Sequence, residues 1–156
     1  MKLSDQSSLA RIDIGSLSLI LPHRNISTVE LVSSIKYGSL SNAPTLTVLG
    51  ARWPVISFSP QLALEKIIPT TQRFIACVNP SNTTWRFAIS CEKVDSIQYT
   101  PEELKQLPPL MSSPDTPILG VLYKDKVLHC VTNADHLANF LNDEFRLFET
   151  TEVSIC

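Results

Sequence analysis

Thr47-Val48-Leu49-Gly50-Ala51-Arg52-Trp53-Pro54-Val55-Ile56-Ser57-Phe58 sets the pattern on which the rest of the chain is built. Leu46 to Leu49 and Trp53 to Phe58 are short runs rich in β-branched and aromatic residues, which suit a pleated, packed surface. Gly50 lies between them, where a tight turn needs either a positive φ or close backbone approach, both of which glycine supplies without steric cost. The stretch reads as two short strands joined at Gly50. Ser59 follows, placed to cap a helical turn that starts at Pro60 and includes Leu62 and Leu64.

Upstream, residues 1–10 are polar and read as a frayed, flexible N-terminus. Leu17, Leu19 and Leu21 then alternate with a period of two, the sign of a half-buried strand, ended by Pro22. Ile26 to Ile35 is dominated by β-branched residues and reads as a strand or a short turn plus strand. Tyr37 to Pro44 carries Gly38, Ser39, Ser41, Asn42 and Pro44 and is a loop.

Downstream, residues 65–72 form a candidate connection between halves. Phe74 to Val78 and Trp85 to Ile89 form a hairpin about Asn79-Pro80-Ser81-Asn82, and Val94 to Tyr99 is a further strand. Thr100-Pro101-Glu102-Glu103 has the form of a capping box and predicts a short helix through Leu107. Residues 108–117 are proline-rich and read as a surface loop. Ile118 to Tyr123 and Val127 to Val131 make a hairpin about Lys124-Asp125. A last helix starts at Asn133, with Leu137, Phe140 and Leu141 on one face.

Many short, closely spaced strands with little helix argue for barrels or a sandwich rather than a parallel sheet. The two halves end alike, each with a strand pair, a capping residue (Ser59 or Asn133) and a turn carrying Leu62 or Leu137, which points to two related subdomains. With 156 residues, 44% hydrophobic and 18% charged, the chain has ample apolar surface for one ordinary domain.

Thirteen Lys and Arg against fifteen Asp and Glu give a net charge of −2. The charges are scattered singly, which disfavours nucleic-acid binding because phosphate contacts need a basic stripe. Phe74, Trp85 and Phe87 fit core positions better than a base-stacking surface. Cys77, Cys91, Cys130 and Cys156 form no Cys-x-x-Cys pair, and buried free thiols in a reducing compartment fit them best. Neither a signal peptide nor an apolar run of about 20 residues is visible, so a cytoplasmic protein is expected.

Catalytic chemistry has thin support. Cys91, His129 and Asp135 can be assembled into a triad on paper, but no nucleophile-elbow pattern surrounds Cys91. His129, Cys130, Asp135 and His136 lack a recurrent metal-ligand spacing. The four glycines are isolated, so no loop is built to cradle a phosphate. No catalytic residue, metal or cofactor is assigned. The alternative kept open is a small β-barrel enzyme or ligand binder using Cys91 with His129 and His136.

The opening stretch resembles the CheW-family pattern Asn-Leu-Arg-Gly-x-x-x-Pro-Val-x-Asp-Leu, with Gly50, Pro54 and Val55 in register. Leu19-Ile20-Leu21-Pro22 and Val29-Glu30-Leu31-Val32 are similar to the first strand and the following Val-x-Glu-Val/Ile segment of that family, above all its PilI-type members in type IV pilus chemosensory systems. Phe87 to Val94 resembles Phe-x-Val-Asp-x-Val, while Ile118-Leu119-Gly120-Val121 and Lys126-Val127-Leu128 through Leu137 resemble the closing hairpin and Leu-Asp-x-x-x-Leu.

The resemblance covers roughly residues 14–141 and implies a mainly β fold of two small SH3-like five-stranded β-barrels sharing a hydrophobic core, with short helices. One domain over residues 11–143 is expected, its first barrel about 16–64 with later strands and its second about 73–131, followed by a tail over 144–156. It implies a non-enzymatic bacterial adaptor whose partners are a CheA-like histidine kinase, docked on a barrel edge, and a chemoreceptor or pilus-signalling protein, held in the groove between barrels. Leu49, Gly50, Arg52 and Trp53 are the candidate partner-binding residues, with Trp53 fitting the core equally well. Where the family has arginine and aspartates, this chain has Leu49, Ser57, Glu92 and Asn133, which argues against receptor binding in the family's usual manner.

Overall fold

A computed structural model describes residues 8–37, 44–48, 50–81, 86–107 and 116–142. Its strands are β1 (Ser8–Ile14), β2 (Leu17–Pro22), β3 (Ile26–Leu31), β4 (Lys36–Tyr37), β5 (Pro44–Val48), β6 (Ala51–Phe58), β7 (Leu64–Glu65), β8 (Phe74–Val78), β9 (Phe87–Cys91), β10 (Lys93–Gln98), β11 (Leu104–Gln106), β12 (Gly120–Lys124) and β13 (Val127–Val131). One helix, α1 (Ala134–Phe140), follows.

The strands form two sheets, in the orders β10-β1-β2-β13-β12-β11 and β3-β8-β9-β6-β5-β4, with β7 added beside β6. Leaving out β4, β7 and β11, which are only two or three residues long, each sheet has five longer strands. The fold is mainly β and consistent with two SH3-like subdomains. Each sheet has one parallel pair: β2 with β13 through Leu19↔Cys130 and Ile20↔Val131, and β6 with β9 through Val55↔Ala88 and Ile56↔Ile89. Their other pairings are antiparallel and mostly hairpins.

Apolar side chains collect in three places. The shared core lies between the sheets, with Ile12, Leu19 and Leu21 from one and Phe58, Val78, Phe87 and Ile89 from the other, closed by Leu137 and Leu141 at α1. The opposite face of the second sheet holds Leu46, Trp53, Val55, Ile75, Cys77 and Ala88. That of the first holds the smaller group Leu9, Ile20, Leu122 and Val131.

Several expectations are corrected by this arrangement. The frayed segment over residues 1–10 overlaps β1, where Leu9 and Ala10 are buried because they pair between β2 and β10. β2 is buried on both faces rather than one, since its alternate residues feed two different clusters. No helical turn follows Ser59; its Oγ accepts from the amides of Gln61 and Ala63, both at 3.2 Å, and Leu62 takes φ +62° before the chain enters β7.

The capping box at Thr100 is present, but it closes only a single 3₁₀ turn, Pro101–Glu103. Leu104 then pairs with Leu122 as part of β11, so sheet pairing ends the turn three residues before Leu107. Strand membership also divides the chain differently from a split near residues 64–73. The second sheet is formed by residues 26–91 and is inserted into the first, because β1 pairs with β10 and β3 with β8. The loop expected from Tyr37 to Pro44 has its two ends in β4 and β5, and its residues 38–43, most of the proline-rich run, Trp85 and the tail lie outside the described residues.

Candidate partner-binding surface

The β5–β6 hairpin closes with Val48 opposite Ala51, and Gly50 in its turn has φ +79°. Gly50 is exposed, and a Cβ built on it would meet nothing within 4 Å, so only the backbone conformation requires glycine there. Arg52 is exposed. Trp53, one residue on, points to the opposite face, as strand geometry requires, and is only 6% exposed. It packs with Leu46 and Ile75, and the Arg86 guanidinium sits 5.8 Å from its ring centroid. The four predicted residues therefore do not form one surface: Gly50 and Arg52 face solvent, Trp53 supports them from the core, and Leu49 lies outside the described residues.

The positions where the family pattern carries aspartate have internal work here. Ser57 is buried, with its Oγ 2.6 Å from that of Ser90, and Ser90 donates to Gln72 Oε1 at 2.5 Å. Glu92 accepts from the Gly15 amide at 3.0 Å and from Thr71 Oγ1 at 3.3 Å, tying the β1–β2 turn to the loop before β8. Asn133 caps α1 by accepting from the His136 amide at 2.7 Å.

Sequence reasoning did not find a second exposed strip. Leu31 is 54%, Val29 41% and Phe74 36% exposed, and the register sets Leu31 opposite Phe74 and Val29 opposite Ala76. Directly paired residues share a face, so these three extend the side of β8 that carries Ala76 and Val78 in the shared core. The strip is exposed because β3 is an edge strand. The alternation Val29-x-Leu31 was visible in sequence, but which face lacked a cover was not.

The rival chemistry loses its nucleophile. Cys91 is fully buried, and burial, with the carboxylates of Asp13 and Glu92 nearby, pushes its thiol up to about 12. His129 is engaged through Nδ1, 2.6 Å from Ser18 Oγ, and burial holds its pKa below the ordinary value. Asp135 accepts instead from the amide and hydroxyl of Ser81, both at 2.8 Å. His136 keeps Nε2 buried with no hydrogen-bond partner among the described residues. Among those residues no group of three His, Cys, Asp or Glu side chains is placed to hold a metal ion.

No protein-family model matches the chain, and no curated protein matches it by sequence. Among solved structures, it is similar to the scaffolding protein TtCheW from Thermoanaerobacter tengcongensis, with a TM-score of 0.61 at 13% identity, covering 80% of this chain and 87% of that one. This likeness shows a CheW-like fold. No helix among the described residues is long and apolar enough to cross a membrane.

Proposed function

We propose that the protein is a non-enzymatic adaptor of a bacterial chemosensory or type IV pilus signalling system. In this reading it works in the cytoplasm, where it couples a CheA-like histidine kinase to receptors or regulates that coupling. The observation that carries the reading is the fold, two sheets on a shared core, in the form of a scaffolding protein. Docking involves the β5–β6 hairpin, with Leu49, Gly50 and Arg52 at the contact and Trp53 holding the hairpin from beneath. The Val29, Leu31 and Phe74 strip along the β3 edge supplies apolar contact area.

Two replacements take the family's acidic positions out of docking. Ser57 and Asn133 are spent on internal hydrogen bonds, so apolar area and the Arg52 guanidinium provide the recognition. Affinity purification of the tagged full chain from its own cell tests the proposal. A CheA-like kinase, chemoreceptor or pilus-signalling component is expected with the wild type and is lost with Arg52→Glu. Recovery of none of these overturns the reading. Thiol labelling of the native protein at Cys91 checks the enzymatic rival, and rapid modification would revive it.

A further inference from the structure

A groove of about 460 Å³ opens where β3 ends, between Leu31, Val32 and Ser33 on one side and Ile68, Pro69, Thr70, Gln72 and Arg73 on the other. Its walls are mostly aliphatic, but its polar groups are one-sided. Gln72 is 4% exposed and uses its Oε1 to accept from Ser90, leaving its amide N–H₂ with no partner among the described residues. Arg73 is exposed, and its guanidinium makes no ion pair or side-chain hydrogen bond among those residues. An amide donor and a cation that are both unpaired among the described residues are matched by an acceptor that carries negative charge. Among the described residues no carboxylate lines the groove to fulfil that role.

We propose that this groove takes a short acidic segment of a partner protein, a Glu or Asp side chain flanked by aliphatic residues. The carboxylate is held by Arg73 and the Gln72 amide, while its neighbours lie on Leu31, Val32 and Ile68. The surroundings favour a peptide over a small free carboxylate. Exposed Phe74 (36%) and Ile67 (81%), next in sequence to the lining residues Arg73 and Ile68, extend the apolar surface, and an extended partner covers them where a small molecule does not. The open edge of β3 runs into the same place, offering backbone groups for strand-like pairing. Val32 and Ile68 of the groove wall pack on the cluster that holds Trp53 of the β5–β6 hairpin, and the site deepens the adaptor reading, on which it rests for the presence of a protein partner.

The loop bearing these donors is held in place from behind. Gln72 is tied through Ser90 to Ser57 on β6, and Thr71 through Glu92 to the Gly15 turn of the other sheet. The donors are therefore preorganised, which lowers the ordering cost of binding.

Selection of a displayed random heptapeptide library on the full-length protein tests this. Wild type is expected to enrich sequences with one Glu or Asp between aliphatic residues, and Arg73→Glu to reverse the preference toward Lys or Arg. For an enriched peptide, Glu→Gln or Arg73→Ala should weaken binding about tenfold or more, the scale of a charge-assisted hydrogen bond. Arg73 is exposed, and an unchanged melting temperature shows that the variant is folded. Enrichment without acidic residues, or unaltered by Arg73→Glu, overturns the proposal. So does octanoate displacing the selected peptide with equal affinity, which would assign the groove to small carboxylates. Acidic enrichment without any kinase, receptor or pilus component in the purification would sink the adaptor reading and leave the groove assignment standing.

Discussion

The two sheets are built on the same plan and differ in what they bury beside their parallel pair. In the first, the position next to Leu19↔Cys130 is filled by Ser18 and His129, 2.6 Å apart. In the second, the position next to Ile56↔Ile89 is filled by Ser57 and Ser90, also 2.6 Å apart, with Gln72 as a third member. Each pair satisfies polar groups at a central seam, but only the first can titrate. The lesson is that the seam tolerates polarity when it is paired, and that of the two seam pairs only the one with His129 is pH-sensitive.

The largest test asks whether the halves are independent at all. Phe87 is fully buried in the core that both sheets share. Phe87→Ala is expected to cost about 3–5 kcal/mol, and denaturant unfolding followed by tryptophan fluorescence and by far-UV circular dichroism should still show one coincident transition. Two separated transitions would break the picture of a common core.

At the seams, Ser90→Ala leaves the Gln72 carbonyl and the Ser57 hydroxyl without their partner, at a cost of about 1–3 kcal/mol that does not vary between pH 5 and 8. The counterpart in the first sheet does vary. Burial lowers the pKa of His129 in the folded state, so the unfolded chain binds the proton more readily. The stabilisation is complete above the ordinary histidine value of about 6.5 and is lost as pH falls through the folded value. Melting temperatures of the wild type should drop through that window, and His129→Gln should flatten the slope.

The smallest effects separate two turns of similar shape. Gly15, between β1 and β2, has φ +58°, and Gly50, between β5 and β6, has φ +79°. A Cβ on Gly15 would lie 2.9 Å from Pro60 Cγ, in the β6–β7 turn, whereas one on Gly50 meets nothing within 4 Å. Gly50→Ala should cost about 1–2 kcal/mol for the left-handed backbone alone, and Gly15→Ala more. Equal losses in chemical denaturation would show that the Gly15–Pro60 contact adjusts freely.

Much of the fold was legible because local chemistry and final structure agree. The Gly50 turn, the Asn133 cap and the apolar face of α1 lie where the sequence placed them, and the hairpin expected about Lys124-Asp125 turns one residue later, at Asp125-Lys126. Asp125 and Lys126 take φ +54° and +64°, the left-handed pair that a two-residue hairpin demands. Local signals failed where sheet pairing outweighed them: the capping box at Thr100 is intact but yields at once to β11, and Ser59 caps a turn that never becomes a helix. The candidate surface was legible only in part. Period-two alternation separates Arg52 from Trp53, yet it does not say which of the two faces is covered.

By itself the sequence determined that the chain would form many short strands around an apolar interior, since glycine turns and β-branched runs act over a few residues. Only the tertiary structure decided that residues 26–91 close as one sheet inside the other, that β2 is buried on both sides, and that Leu31 and Arg73 meet at an open groove. Those outcomes depend on pairings between residues tens of positions apart. Such pairings are selected by the total area the whole chain buries, and no local stretch encodes that sum.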